Sequence, residues 1–427
     1  MKSNFTIFAL TVSILMSSLC FSQIQDSTFN AIESKVVQWR HEIHQNPELS
    51  NREFKTAAKV AEHLRSLGME VQTEVAHTGV VGLLKGKREG KVVALRADMD
   101  GLPVTERNSL PYKSNATAIF NNLQTGVMHA CGHDTHVAIL MGVAEILSKN
   151  NDFAGTVKFI FQPAEEGPPV GEEGGALLMV KEGVLKNPDV DAVFGLHINS
   201  ATPVGTIKYK TKGIMAAADE YKIVVGGKQS HGSTPWNSID PIMISSQIIN
   251  GIQTLISRDS ELTKEGAVAS VGAIHSGIRS NIIPESAEMI GTIRTLDADM
   301  QKVIHQRMYD MIPKIAEAYG GTATVTIRKT AALTYNDEVL TNLMVPTLER
   351  AVGKSNVSVM KAITGAEDFS YFQQQVPGLY FFLGGMDPKI MPQDAPSHHT
   401  PDFVVQDEGM IHGVKVMVGL ALDYLEL

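Results

Sequence analysis

Cys131 and His133 stand two residues apart in Met128-His129-Ala130-Cys131-Gly132-His133-Asp134-Thr135-His136, and farther on Glu165 and Glu166 adjoin each other in Gln162-Pro163-Ala164-Glu165-Glu166-Gly167. A thiolate and an imidazole at that spacing, in a segment bounded by Gly126 and Gly132, can be aimed from a loop or strand end at one borderline-soft cation. Adjacent carboxylates normally repel each other. A metal can bind one and leave its neighbour free as a general base on water. The two segments together look like the first half of a metal-activated hydrolase site.

Each residue also has a plainer reading. A lone cysteine is ordinarily buried and inert, a histidine following an apolar strand, as His197 does, is often satisfied within a core, and neighbouring glutamates are usually solvated. The concentration of candidates favours the chemical reading, with Gly167-Pro168-Pro169 fixing the loop after the glutamates. His129 and His136 read as residues that orient ligands through their second ring nitrogen or start a helix.

Residues 1–22 carry Lys2 as their only charge, an apolar core from Phe8 to Met16 and Cys20-Phe21-Ser22 at the cleavage positions, which reads as a secretory signal peptide cut near Ser22. The apolar run is too short for a membrane span. The chain has two cysteines, so Cys131 would stand alone after cleavage. An internal disulfide is then excluded, and coordination to a metal would protect the thiol in an oxidising compartment.

The elements that must position these residues follow from periodicity. Apolar spacing from Phe29 to Leu67, ending at Gly68, predicts helices, and Val137 to Leu147 predicts another. Val80–Leu84, Val92–Arg96, Val157–Phe161 and Val193–His197 are short apolar runs between helical segments, the pattern of a largely parallel α/β sheet. Such sheets collect ligands at the carboxyl ends of their strands, where Asp98, Glu165, Glu166 and His197 fall. After Gly213 the texture changes, with strands at Tyr221–Val225, Ala267–Ile274 and Ala287–Arg294 and helices at Pro241–Ser257 and Met300–Tyr319. The expected organisation is a signal peptide (1–22), a catalytic domain in two parts (23–212 and 329–427) and an inserted α+β lid or dimerisation domain (213–328).

Composition supports a globular enzyme of two domains, with 43% hydrophobic and 19% charged residues. The formal charge of −9 argues against a nucleic-acid partner.

Seven motifs occur in order: Cys131-Gly132-His133-Asp134, Pro163-Ala164-Glu165-Glu166-Gly167, Gly195-Leu196-His197, Asn281-Ile282-Ile283-Pro284, Gly291-Thr292-Ile293-Arg294, Glu367-Asp368-Phe369 and His399-Thr400-Pro401. In this the chain resembles the aminoacylase and carboxypeptidase-type metallohydrolases over nearly all of its mature length. More narrowly, it is similar to their amidohydrolase branch, which includes hippurate hydrolase and hydrolases of indole-acetyl amino acids.

The resemblance implies a two-metal centre, zinc or manganese, held by Cys131, His133, Glu166, His197 and a C-terminal histidine. The family pattern places that histidine before one variable residue and Pro, which selects His399, with His398 in reserve. Glu165 is implied as the catalytic carboxylate, base toward water and then acid toward the leaving amine. Lys228-Gln229-Ser230-His231-Gly232-Ser233-Thr234-Pro235 resembles the segment whose histidine reaches the partner subunit's site in a dimer, where His231 would donate to the oxyanion. Asn281 and Arg294 would bind the substrate carboxylate. On the residues alone, a turn histidine, a turn asparagine and a surface arginine are the readier readings of these three.

Two departures stand out. The segment Gly167–Gly175 is longer than the branch's compact glycine-rich loop, and it is expected beside the metals. Where related carboxypeptidases have His-x-Asp, the matching place looks like Arg96-Ala97-Asp98; arginine does not ligate metals, so Asp98 is left an orienting role.

The function these features imply is a secreted or periplasmic homodimeric hydrolase, without a stable membrane span, acting on small N-acyl amino acids. A metallo-dipeptidase or carboxypeptidase is the alternative. A silent binding protein that kept the fold would have lost Glu165 or several ligands, and all are present; a redox sensor lacks a resolving cysteine.

Overall fold

A computed structural model describes residues 24–427. The expected signal peptide lies outside the described residues. By contacts the described chain forms two units: residues up to Thr211 with Asn336–Met360 and Tyr371–Leu427, and Lys212–Tyr335 with Lys361–Ser370.

The first unit is built on an eight-stranded sheet. Its centre is parallel: Arg88–Asp98 lies between Ala154–Gln162 and Ala192–Pro203, and Gly378–Met386 follows. Glu70–Val75 and Gly79–Lys85 extend one side antiparallel. The central strands are nearly continuous apolar runs, as strands covered on both faces must be; every residue of Gly378–Met386 is buried. The helix His133–Lys149 packs with Asp26–Gln45 and Met410–Leu425. It is buried all round from His133 to Leu147, as befits an internal helix, and each large apolar side chain so buried contributes about 1.5–3 kcal/mol.

Strand register brings the chemistry to one edge. Asp98 pairs with Gln162, and Arg96 pairs with Gly195, which sets Asp98 level with His197. Two neighbouring parallel strands therefore end together, at Asp98 and just before Glu165, and His197 lies level with them within Ala192–Pro203.

The second unit is a four-stranded antiparallel sheet whose strands Ala217–Gly226 and Ser286–Thr295 are central. Burial alternates along Ala217–Gly226, the period-two pattern of a sheet with one covered face. Ile223, Val225, Ile244, Ile248, Ile304 and Met308 form its core with the helices Pro241–Thr254 and Ala298–Ala318. Asp240 and Asp297 cap those helices by accepting backbone N–H bonds from the first turn.

Candidate metal centre

Cys131 and His133 flank a glycine the backbone requires. Gly132 has φ +98°, and a Cβ there would lie 2.4 Å from Ile198 Cγ2. That left-handed residue ends the loop and starts the His133–Lys149 helix, so thiol and imidazole leave the turn toward the same space. The loop after Ala154–Gln162 turns through Ala164, a non-glycine residue at φ +53°, and delivers Glu165 and Glu166. His399, at φ +62°, donates its backbone N–H to Ala130 O at 2.8 Å, which ties the C-terminal segment to the Cys131 loop.

Cys131 Sγ stands 3.4 Å from His197 Nε2 and 3.3 Å from His399 Nε2, and His399 Nε2 stands 3.1 Å from Glu166 Oε1. His133 Nε2 lies 3.7 Å from Asp98 Oδ2 and 3.8 Å from Glu165 Oε2. The donors form overlapping triads whose ligand atoms lie within 4.8 Å of one another: Cys131/His133/His197, Cys131/Glu166/His399 and His133/Glu165/Glu166.

Hydrogen bonds commit the tautomers. His133 Nδ1 faces Asp100 O at 3.0 Å and Asp100 Oδ1 at 3.2 Å, and His197 Nδ1 faces Ile198 O at 2.6 Å. Each Nδ1–H donates there, leaving Nε2 as a lone pair directed at the cluster. Among the described residues His133 Nε2 is buried with no hydrogen-bond partner.

Charge completes the fit to a cation. Burial, then Glu166, Glu165 and Asp98, push the Cys131 thiol well above its usual range. Burial opposes charge on His133, yet Asp98 and Asp100 raise it to about 10. A cluster that holds a proton this tightly and disfavours its thiolate is short of positive charge, which a divalent cation would supply.

The neighbouring histidines have other duties. His136 Nδ1 donates to Asp98 Oδ1 at 2.5 Å while its Nε2 accepts the Ile198 N–H at 2.8 Å, so both nitrogens are engaged in orienting the site. His398 is engaged likewise: Nδ1–H donates to Cys131 O at 3.2 Å and Nε2 accepts the Ser200 N–H at 3.2 Å. His398 Nδ1 also stands 3.9 Å from Cys131 Sγ, while His399 Nε2 is the nearer ring nitrogen, 3.3 Å from Cys131 Sγ and 3.1 Å from Glu166 Oε1. His129 is buried, lowered to about 4 by burial, and makes no side-chain hydrogen bond among the described residues.

Asp100 escaped the sequence reading, which set Arg96-Ala97-Asp98 against His-x-Asp. The side chain that orients His133 belongs to Asp98-Met99-Asp100, two positions on. Asp100 also accepts the Glu165 and Glu166 N–H groups, one on each carboxylate oxygen at 3.1 Å. Asp98 receives Arg96 Nη1 at 2.7 Å; burial opposes its charge, but Arg96, His133 and His136 hold its carboxyl well below the usual range. The signal for Asp100 was present, an acid just past an apolar strand.

Glu53 was also missed. Fully buried, it accepts the Ala164 N–H at 2.9 Å and the Asn51 N–H at 3.1 Å on Oε1, and the Thr78 hydroxyl on Oε2. Burial and the Asp100 charge push it up to about 8. In sequence it is indistinguishable from an ordinary acid at a helix start. The longer Gly167–Gly175 loop is pinned by Asn51 Nδ2 to Glu173 O at 3.0 Å and by Arg52 to Glu172.

The residues of the second unit separate into two places. His231 pairs with Ile282 on a two-stranded ribbon, and the Gly232 N–H donates to Asn281 O at 2.9 Å. Arg294 lies near the far end of Ser286–Thr295, paired with Ala218 and Val268, roughly 26 Å along the strand from Ser286 at about 3.3 Å per residue. Asn281 lies on the chain before Ser286, so within one copy it and Arg294 belong to different parts of the second unit.

Residues 94–423 match the model of peptidase family M20/M25/M40. The chain is 42% identical to thermostable carboxypeptidase 2 of Saccharolobus solfataricus, over 92% of this chain and 96% of the relative. It is 35% identical to the N-acetyl-L-cysteine deacetylase of Bacillus subtilis, over 90% and 86%. The crystal structure of Bacillus subtilis YXEP, described as a dinuclear metal binding peptidase of the M20 family, superposes with a TM-score of 0.77 at 31% identity, covering 93% of this chain and 99% of that one. The chain belongs to peptidase family M20/M25/M40, whose members are metal-dependent hydrolases of amide bonds.

Proposed function

We propose that this member of peptidase family M20/M25/M40 hydrolyses N-acyl amino acids to a carboxylic acid and a free amino acid. The observation that carries the reading is the convergence of Cys131, His133, Glu166, His197 and His399, with Glu165 beside them.

In this reading those five residues hold two divalent ions, zinc or manganese, which when bound polarise the scissile carbonyl and acidify water. Glu165 takes the proton from water on its carboxylate and returns it to the leaving amine nitrogen. Asp100 holds the Glu165 backbone, while Asp98 and His136 keep the surrounding side chains in place. The partner subunit's His231 donates to the oxyanion, and Asn281 and Arg294 bind the substrate carboxylate. Asn281 and Arg294 belong to different parts of the unit within one copy, and meeting one substrate across two copies suits a homodimer formed through the inserted domain (213–328). Closure of that domain would exclude water.

Residues 1–22 support placement outside the cytoplasm, with the sole remaining thiol held by metal. No helix among the described residues is long and apolar enough to cross a membrane.

A second reading, a carboxypeptidase or dipeptidase, draws on the 42% identity to a thermostable carboxypeptidase. Both reactions cleave an amide beside a free carboxylate. Amino-acid release by the protein loaded with manganese or zinc, from N-acetyl and N-benzoyl amino acids and from free dipeptides, separates them. Cleavage of the acylated panel is expected; cleavage of dipeptides alone would select the second reading.

A further inference from the structure

Within the second unit, Gln229, Ser230, His231, Arg279, Asn281 and Ile282 line an open surface depression of about 480 Å³. Ser230 and His231 pair with Ile283 and Ile282, and the Ile282 N–H donates to Arg279 O at 3.2 Å, closing the turn that carries Arg279 and Asn281. His231 Nδ1 accepts the Ser233 N–H at 3.1 Å, so Nε2 carries the ring's proton and is the donor left for a ligand.

The lining contains a guanidinium, two side-chain amides, an imidazole and a hydroxyl, and no acid. Among the described residues Arg279 makes no ion pair. A concave surface built of donors around one uncompensated cation suits a carboxylate, which a guanidinium receives through two parallel N–H bonds. An exposed arginine without a partner is usually just solvated. Here it shares a depression with His231 and Asn281, while Arg294 stands at the other end of the sheet.

We propose that Arg279 is a further substrate-binding residue at this depression, joining Asn281, and Arg294 of the partner subunit, in receiving the carboxylate of the N-acyl amino acid. The inference rests on the reading that the His231 depression receives substrate. It adds to the carboxylate recognition read for Asn281 and Arg294 a residue outside the seven sequence motifs.

Trp236 lies five residues beyond His231 and is 77% exposed, and the chain's other tryptophan is Trp39. Trp39→Phe therefore leaves Trp236 as the sole indole reporter. In metal-loaded full-length protein carrying Trp39→Phe and Glu165→Gln, fluorescence titrations compare N-acetyl-L-alanine with N-acetyl-L-alaninamide, which lacks the carboxylate. The carboxylate should bind more tightly. Arg279→Ala should weaken it about tenfold or more while leaving the amide unchanged, and Arg279→Lys should recover part of the loss. Equal binding of the two ligands before substitution, equal weakening of both by Arg279→Ala, or no change in either would overturn the proposal. Hydrolysis of N-acetyl-L-alanine by the unsubstituted enzyme, measured in parallel, tests the reading of function separately, because the fluorescence assay does not require turnover.

Discussion

Asp100 and His133 are joined twice: the imidazole Nδ1 lies 3.0 Å from the Asp100 carbonyl oxygen and 3.2 Å from its carboxylate. The contact fixes the ring so that Nε2 turns toward the cluster. Removing the carboxylate leaves the Glu165 and Glu166 N–H groups without their acceptor as well. Asp100→Ala should lower metal affinity about 10–100-fold, read by competition with a chromogenic chelator. Unchanged affinity would show that the carbonyl alone orients His133.

The paired histidines near the C-terminus offer a sharp contrast. His399→Ala should reduce the metal bound per chain, because Nε2 is directed at Cys131 and Glu166. His398→Ala should retain the metal and lose stability by roughly 1–3 kcal/mol, since the buried Ser200 N–H loses its acceptor. Elemental analysis and urea denaturation of both variants decide the matter, and the opposite pattern would make His398 the ligand.

Glu53 acts on the catalytic loop through Ala164. With its carboxyl raised to about 8, it is mostly protonated near neutral pH, and glutamine reproduces that form. Glu53→Gln should therefore keep kcat within a few-fold, whereas Glu53→Ala should lower kcat about 10–100-fold with KM little changed, as a misplaced general base would. Equal behaviour of the two variants would remove Glu53 from the positioning of Glu165.

His44 provides a pH test at a residue outside the proposed ligand set. It contacts Asp134 at 2.8 Å and Glu106 at 3.3 Å. Burial opposes its charge, but these carboxylates, Asp134 foremost, raise it above its ordinary value of 6.5. A raised histidine stabilises the fold fully below about pH 6.5, and that contribution is lost as pH rises through the folded value. The stability difference between wild type and His44→Gln should be largest near pH 6 and shrink toward pH 9. A difference that grows with pH would mean His44 is neutral in the folded protein.

Much of this arrangement is legible in the sequence, for physical reasons. Apolar runs such as Val92–Arg96 and Val157–Phe161 announce buried parallel strands, and residues just past their ends fall at the ligand-binding edge. The three antiparallel pairings toward the sheet's two sides leave no comparable mark. Asp100 was hidden by an alignment shift of two residues, and Glu53 because its role depends on a contact with Ala164 more than a hundred positions away. The separation of Asn281 from Arg294 depends on strand length and register, which motif order does not encode.

The central claim is that Glu165 works as the base beside a metal centre held by Cys131, His133, Glu166, His197 and His399. Its most direct test strips the purified protein with a chelator, restores manganese or zinc, and follows amino-acid release from an N-acyl amino acid by wild type and Glu165→Gln. Wild type should lose activity on chelation and regain it as two ions bind per chain. Glu165→Gln should regain its metal yet turn over at least about 100-fold more slowly. Activity that survives chelation, or a metal-loaded Glu165→Gln as fast as wild type, would contradict the account.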